Sequence, residues 1–127
     1  MSVPELLHYT EDHEWVEDPG DTSVKIGLTA FAVNALGDVV FLYLPEVGDE
    51  ITAGEECGEV ESTKSVSSVF APIGGTVVQV NQVVIDTPEL VNQDPFGAGW
   101  LFEVTPNGDV AQLLDAAAYR ELIAAQS

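Results

Sequence analysis

Short apolar stretches along the chain are broken by Gly, Pro, Asn and Asp clusters every eight to twelve residues. That rhythm predicts many short antiparallel strands in a small sandwich or barrel. Residues 13–28 read as a hairpin whose turn is Asp18-Pro19-Gly20-Asp21, since Pro and Gly preset the backbone angles a turn needs. Thr29 is placed to cap a short helix through Leu36, and Gly37 to end it in a left-handed conformation. Val39 to Leu44 is a six-residue apolar run stopped by Pro45, which predicts a strand buried on both faces. Val47-Gly48-Asp49 makes a turn before Ile51, and strands are expected at Glu56 to Glu61, Val66 to Phe70, Thr76 to Val80 and Gly99 to Val104. Residues 86–99 form a long connection with a helical turn at Pro88 to Val91. The chain turns helical from Asp109. Asp115 is a good N-cap for residues 116–125, where Tyr119, Leu122 and Ile123 fall at helical spacing and would lay the helix on the sheet as a lid. With 127 residues and no linker, the chain is expected to form one domain, 1–127.

Charge adds a constraint the pattern does not supply. The chain has 22 acidic residues and three basic ones, Lys25, Lys64 and Arg120, for a formal net charge of −19. Such a surface repels nucleic acid and anionic membrane, having almost no cations to displace phosphate counterions. Solubility and steering toward basic patches on partner proteins are both open readings of that charge. Residues 1–12 hold neither a basic segment nor an apolar run fit for a signal peptide, and no stretch has the length of a membrane span. The expected location is the bacterial cytoplasm, with a processed mitochondrial protein as the alternative.

Candidate chemistry is sparse. Cys57 stands alone in a strand-like run and reads as a small packed hydrophobe. His8 and His13 lack the spacing of a metal site, and Trp15 and Trp100 read as core or cleft walls. No Ser-His-Asp or Cys-His arrangement is recognisable. Lys64 is different. It is the sole cation between Lys25 and Arg120, in Glu61-Ser62-Thr63-Lys64-Ser65 between two strand-like runs. With Thr63-Lys64 at the centre of a two-residue turn, Val66 faces Glu61 and Ser65 faces Ser62. Neither central residue is Gly or Asn, so ordinary backbone angles are expected. A lysine there projects its amine into water. Acylation would neutralise it and leave a long arm on a rigid mount; a plain solvated turn lysine is the competing reading.

The stretch Val60-Glu61-Ser62-Thr63-Lys64-Ser65, followed by Ala71-Pro72-Ile73-Gly74-Gly75-Thr76-Val77-Val78-Gln79-Val80-Asn81, resembles the lipoyl-lysine hairpin of the glycine cleavage H proteins. His13-Glu14-Trp15-Val16, Leu36-Gly37-Asp38-Val39-Val40-Phe41, Leu44-Pro45-Glu46-Val47-Gly48 and Gly99-Trp100 extend the likeness over about residues 7–123. The resemblance implies a mainly β, lipoyl/biotinyl-carrier-like barrel-sandwich hybrid with a short helix near 29–36 and a C-terminal helix. It implies a non-catalytic carrier with lipoate covalently bound to Lys64. The carrier would shuttle an aminomethyl group from a pyridoxal-phosphate glycine decarboxylase to a tetrahydrofolate-dependent aminomethyltransferase, and electrons to dihydrolipoyl dehydrogenase. Glu61 and Gly75 match positions used for recognition by lipoate-attaching enzymes. Glu14, with Asp12 beside it, matches an acid that holds the loaded arm in a surface cleft, although Glu14 read alone is one acid among 22. The chain departs from the family at Thr63 and Ser65, where Val and Ala are frequent, and at Ser68, where Asp is frequent and helps to hold the amine. A monomer is expected, with no nucleic-acid, membrane or metal ligand. A biotinyl domain is disfavoured because such lysines are usually flanked by Met, and Met1 is the only Met here. The shorter lipoyl domain of a 2-oxo-acid dehydrogenase and an acidic adaptor protein are the other rivals.

Overall fold

Two antiparallel sheets enclose the main core. The computed structural model describes residues 3–18, 23–107 and 113–126. Its strands are β1 (His8–Tyr9), β2 (Glu14–Glu17), β3 (Val24–Leu28), β4 (Val39–Tyr43), β5 (Glu50–Ile51), β6 (Glu56–Ser62), β7 (Val66–Phe70), β8 (Gly75–Val80) and β9 (Phe102–Pro106). The helices are α1 (Ala30–Leu36), α2 (Gln82–Asp86), α3 (Leu90–Gln93) and α4 (Ala116–Gln126). One sheet runs β1-β2-β3-β9-β8-β5 and the other β4-β6-β7, and neither closes into a barrel. Val16, Ile26, Val77 and Val104 from the first sheet and Leu42, Val60 and Val69 from the second meet in one buried cluster. Alternation along each strand sends these side chains inward.

The predicted hairpin forms, with Glu14 opposite Leu28 and Glu17 opposite Lys25. Residues 19–21 of its turn, and the helical start expected at Asp109, lie outside the described residues. Thr29 caps α1 by accepting from Ala32 N at 3.2 Å. Gly37 ends α1 with φ +83°, but its ψ of −154° lies outside the left-handed helical region that the sequence suggested. The described residues also contain α2, which the pattern missed. Asn81 caps it through Val83 N, and its amide donates to Ala98 O and Trp100 O at 3.0 and 2.7 Å. The helical turn expected at Pro88 to Val91 sits slightly later, as α3. The last strand runs to Pro106 rather than starting at Gly99.

The largest correction concerns β4. Val39 and Leu42 are buried, but Val40, Phe41 and Tyr43 are 51%, 52% and 65% exposed. β4 is an edge strand of a three-stranded sheet whose outer face is left uncovered by the described residues, so only one face of the apolar run enters the core.

A second cluster lies under α4, where Asp115 Oδ1 accepts from Ala118 N at 2.8 Å. Tyr119, Ala116, Tyr9, Leu7 and Trp15 are buried together, with Leu122 and Ile123 against them. The Tyr9 and Tyr119 rings stack at 4.5 Å, a contact worth about 1 kcal/mol. The helix therefore does act as a lid, over the β1–β2 end of the larger sheet.

Candidate functional site

The tip between β6 and β7 forms as its sequence demands. Glu61 pairs with Val66, and Ser62 N donates to Ser65 O at 2.8 Å. Among the described residues His13 is the sole non-glycine with positive φ, so Thr63 and Lys64 hold ordinary backbone angles. Ser62 is buried and organises the tip: its Oγ accepts from Lys64 N and Ser65 N, each at 3.1 Å. Lys64 is exposed, and its ammonium has no hydrogen-bond or ion-pair partner among the described residues. Its stem lies beside Gly37 rather than pointing straight out: a Cβ on that glycine would stand 3.2 Å from Lys64 Cε. Lys25 differs. It is half-buried in β3, with Nζ 5.1 Å from the Trp100 ring centroid, a cation–π arrangement.

β7 leads from this tip to a buried carboxyl. Glu14 is only 1% exposed, which removes the reading of it as one more solvated acid. It shares the inward face of β2 with Val16, so its carboxyl lies at the edge of the core. Oε2 accepts from Phe70 N at 3.2 Å, joining the larger sheet to the free edge of the smaller one, and Oε1 accepts from Thr10 Oγ1 at 2.7 Å. Burial pushes the Glu14 pKa up to about 7; the Thr10 and Phe70 donors oppose this, and Asp12 adds to it. The carboxyl belongs to a cleft of ≈260 Å³ whose walls include Tyr9, Asp12, Gly54, Pro72 and Leu114. Asp12 is exposed at this cleft and Ser68 is half-exposed in the middle of β7, opposite Glu59. β7 thus leads from the Lys64 turn past Ser68 to Phe70, whose N–H meets the Glu14 carboxyl from β2, while no hydrogen bond or ion pair among the described residues links Lys64 to Glu14.

The turn presenting Glu14 depends on a residue that sequence reasoning undervalued. His13 has φ +67°, a strained conformation for a side-chain-bearing residue. Its ring offsets the strain by bonding Tyr119 OH at 2.8 Å and Gln126 Oε1 at 2.9 Å, and by packing on Phe31. Tyr119 OH also meets Thr29 Oγ1 at 2.7 Å, so the lid, the α1 cap and the Glu14 turn form one network. Cys57 is half-buried against the core; burial, then the charge of Glu14, pushes its pKa up to about 12, which keeps it a thiol.

Of the two residues expected to guide lipoate attachment, Glu61 is exposed three positions before Lys64. Gly75 is buried in the other sheet, where an added Cβ would stand 2.2 Å from Thr105 O and 2.7 Å from Val104 Cγ1. The Thr105 carbonyl is backbone of β9 and cannot yield without separating β8 from β9, and the Val104 side chain is fully buried. Gly75→Ala should therefore cost about 3 kcal/mol of stability. Urea unfolding measures it, and an unchanged midpoint would show that the strands part freely.

A family model described as glycine cleavage H-protein matches residues 7–126. The chain belongs to the glycine cleavage H-protein family. A glycine cleavage system H protein of Mycobacterium avium (strain 104) is 56% identical over 124 residues, covering 93% of this chain and 94% of that one. Its counterpart in Beutenbergia cavernae is 56% identical over 122 residues, covering 96% and 97%. The crystal structure of a glycine cleavage system H protein from Mycobacterium marinum superposes with a TM-score of 0.88 at 46% identity, over 96% of this chain and 99% of that one. No described helix of this H-protein family member is long and apolar enough to cross a membrane.

Proposed function

We propose that the chain, as one domain over residues 1–127, is a non-catalytic carrier of the glycine cleavage system with lipoate in amide linkage to Lys64. The observation that carries this reading is an exposed amine, without a partner among the described residues, at the apex of a β hairpin in a chain that matches the H-protein family over most of its length. Amide formation needs an accessible amine that a modifying enzyme can deprotonate and reach. Lys64 meets that need, whereas Lys25 is half-buried against Trp100. When bound, the lipoyl disulfide supplies an electrophilic S–S bond that takes up electrons and a one-carbon fragment, chemistry no unmodified side chain here offers.

The remaining roles belong to this chain's own residues. Ser62 fixes the tip so that Lys64 is presented in one backbone geometry. Glu61 offers an exposed acid to lipoate-attaching enzymes, and Gly75 contributes through the close approach of β8 and β9. Glu14 and Asp12 give the cleft a negative end suited to a cationic group on the arm, with Ser68 lying along the way. The partners on this reading are the pyridoxal-phosphate glycine decarboxylase, the tetrahydrofolate-dependent aminomethyltransferase and dihydrolipoyl dehydrogenase, which receive the chain as a cytoplasmic monomer. Bacterial relatives support the location, and a net charge of −19 disfavours self-association.

The outer face of the smaller sheet suits such partners. Phe41, Tyr43 and Val66 are exposed among Glu59 and Glu61. An apolar centre in an acidic field complements a basic enzyme surface. Raising salt should lower kcat/KM with each partner on the order of tenfold while kcat at saturation holds; a salt-independent rate would remove the steering role.

Intact-mass measurement of protein from its native host, with the adduct mapped to a peptide, tests the assignment. A lipoyl mass on the Lys64 peptide is expected. A biotinyl mass, an adduct on Lys25, or unmodified protein from cells that lipoylate other substrates would overturn it.

A further inference from the structure

The segment beside the Lys64 stem is held by a residue from another part of the chain. Asn92, on α3, donates from Nδ2 to Gly37 O at 2.7 Å and accepts at Oδ1 from Val39 N at 2.9 Å. One side chain therefore satisfies the backbone groups on both sides of Asp38, between the end of α1 and the start of β4. Asp38 O in turn accepts from Thr63 N at 3.0 Å, so the clamped segment grips the hairpin one residue before Lys64. Gly37 completes the arrangement. The stem of Lys64 crosses it, and the space a Cβ would occupy ends 3.2 Å from Cε and 3.5 Å from Cδ.

We propose that Asn92 is a positioning residue for Lys64: by clamping residues 37–39 it maintains a seat over which the lysine stem lies, and so sets the direction in which the arm leaves the hairpin. The proposal rests on the carrier reading and deepens it. A freely rotating stem samples several staggered conformers at each of its four side-chain torsions. Seating the methylenes on a side-chain-free surface narrows that spread near the tip, while the amine stays in water. The arm then starts from a defined direction, which shortens the search for a partner's active site and for the Glu14 cleft. Because glycine at position 37 also has φ +83°, substitution there strains the backbone as well as filling the seat. Asn92 gives the cleaner test.

The full-length chain, with amines converted to ¹³C-dimethylamines, has only two lysine side chains to distinguish, at Lys25 and Lys64. In the wild type, NMR should show cross-peaks between the Lys64 methylenes and the Gly37 Cα protons. Asn92→Ala removes both clamp bonds. Asn92→Asp keeps an acceptor for Val39 N but sets a carboxylate against Gly37 O. Both variants should lose those cross-peaks and move the Lys64 signal toward that of free dimethyl-lysine, leaving Lys25 in place. In untreated protein, whose Lys64 amine is free for acylation, both should also lower kcat/KM for lipoate attachment about tenfold. A Lys64 signal identical in wild type and both variants overturns the proposal, even if their melting temperatures fall, since that is what a merely structural role predicts. Should Asn92→Ala fail to fold, the wild-type spectrum still decides: missing cross-peaks to Gly37 remove the seat. Wild-type protein that shows the cross-peaks after methylation, yet accepts no lipoate when its amines are left untreated, would instead sink the carrier reading and leave the seat standing.

Discussion

Lys64→Arg is expected to abolish the lipoyl adduct and all carrier turnover while leaving the fold intact. Arginine keeps the positive charge and a long stem, but its guanidinium stays protonated and offers no amine for an amide bond. The position is exposed, and its ammonium forms no ion pair or hydrogen bond among the described residues. Stability should therefore change by less than about 0.5 kcal/mol. The tip would survive as well, because Ser62 Oγ bonds the backbone N–H of residue 64 whatever its side chain. Three readouts belong together: intact mass, the far-ultraviolet spectrum with its melting curve, and turnover with the partner enzymes. An acidic adaptor with no covalent arm would keep its function in this variant, and that result would end the carrier assignment.

The second large effect is a pH dependence centred on Glu14. Burial raises its pKa from the ordinary value of 4.5 to about 7 in the folded chain. The folded state thus binds the Glu14 proton more tightly than the unfolded state does. Its contribution is fully present below about pH 4.5 and is lost as pH rises through about 7. Integrated over that window, the loss is about 3 kcal/mol. Other carboxylates titrate as well, so the comparison that isolates Glu14 is wild type against Glu14→Gln. Gln retains an acceptor for Phe70 N and places an amide against Thr10 Oγ1, which can accept. The variant should gain on wild type as pH climbs from 5 to 8 in urea titrations. Parallel stability curves would show that Glu14 does not hold its proton. On the carrier reading, the same substitution also removes the charge that Glu14 adds to that of Asp12 at the cleft once pH passes about 7, so loss of ammonia from a one-carbon group on the arm should accelerate there.

The features legible in the sequence are those with local causes. Thr29 and Asp115 were recognisable as helix caps because a cap bonds N–H groups two or three residues ahead. The Lys64 hairpin was recognisable because its turn and both paired strands fall in one continuous stretch, Glu56 to Phe70. β4 misled for a physical reason: an apolar run serves equally for a strand buried on both faces and for one that leaves apolar side chains exposed on its outer face. Only the family resemblance singled Glu14 out from 21 other acids; residue chemistry alone could not, since what distinguishes it physically is an amide 56 residues away. Asn92 was silent for the same reason, its partners lying 53 and 55 residues earlier. His13 gave one usable clue, a histidine in a turn that must reverse direction before β2, but its stabilising contacts come from the far end of the chain.

The uncovered rim formed by β4 carries a hazard as well as an opportunity. A border strand with Val40, Phe41 and Tyr43 open to water is a template onto which a second chain could add itself, ladder upon ladder. Mutual repulsion between like-charged copies holds that reaction off near neutrality. As acid titrates the carboxylates away, the guard weakens, and the surface proposed to meet partner enzymes becomes the place where clumping would start.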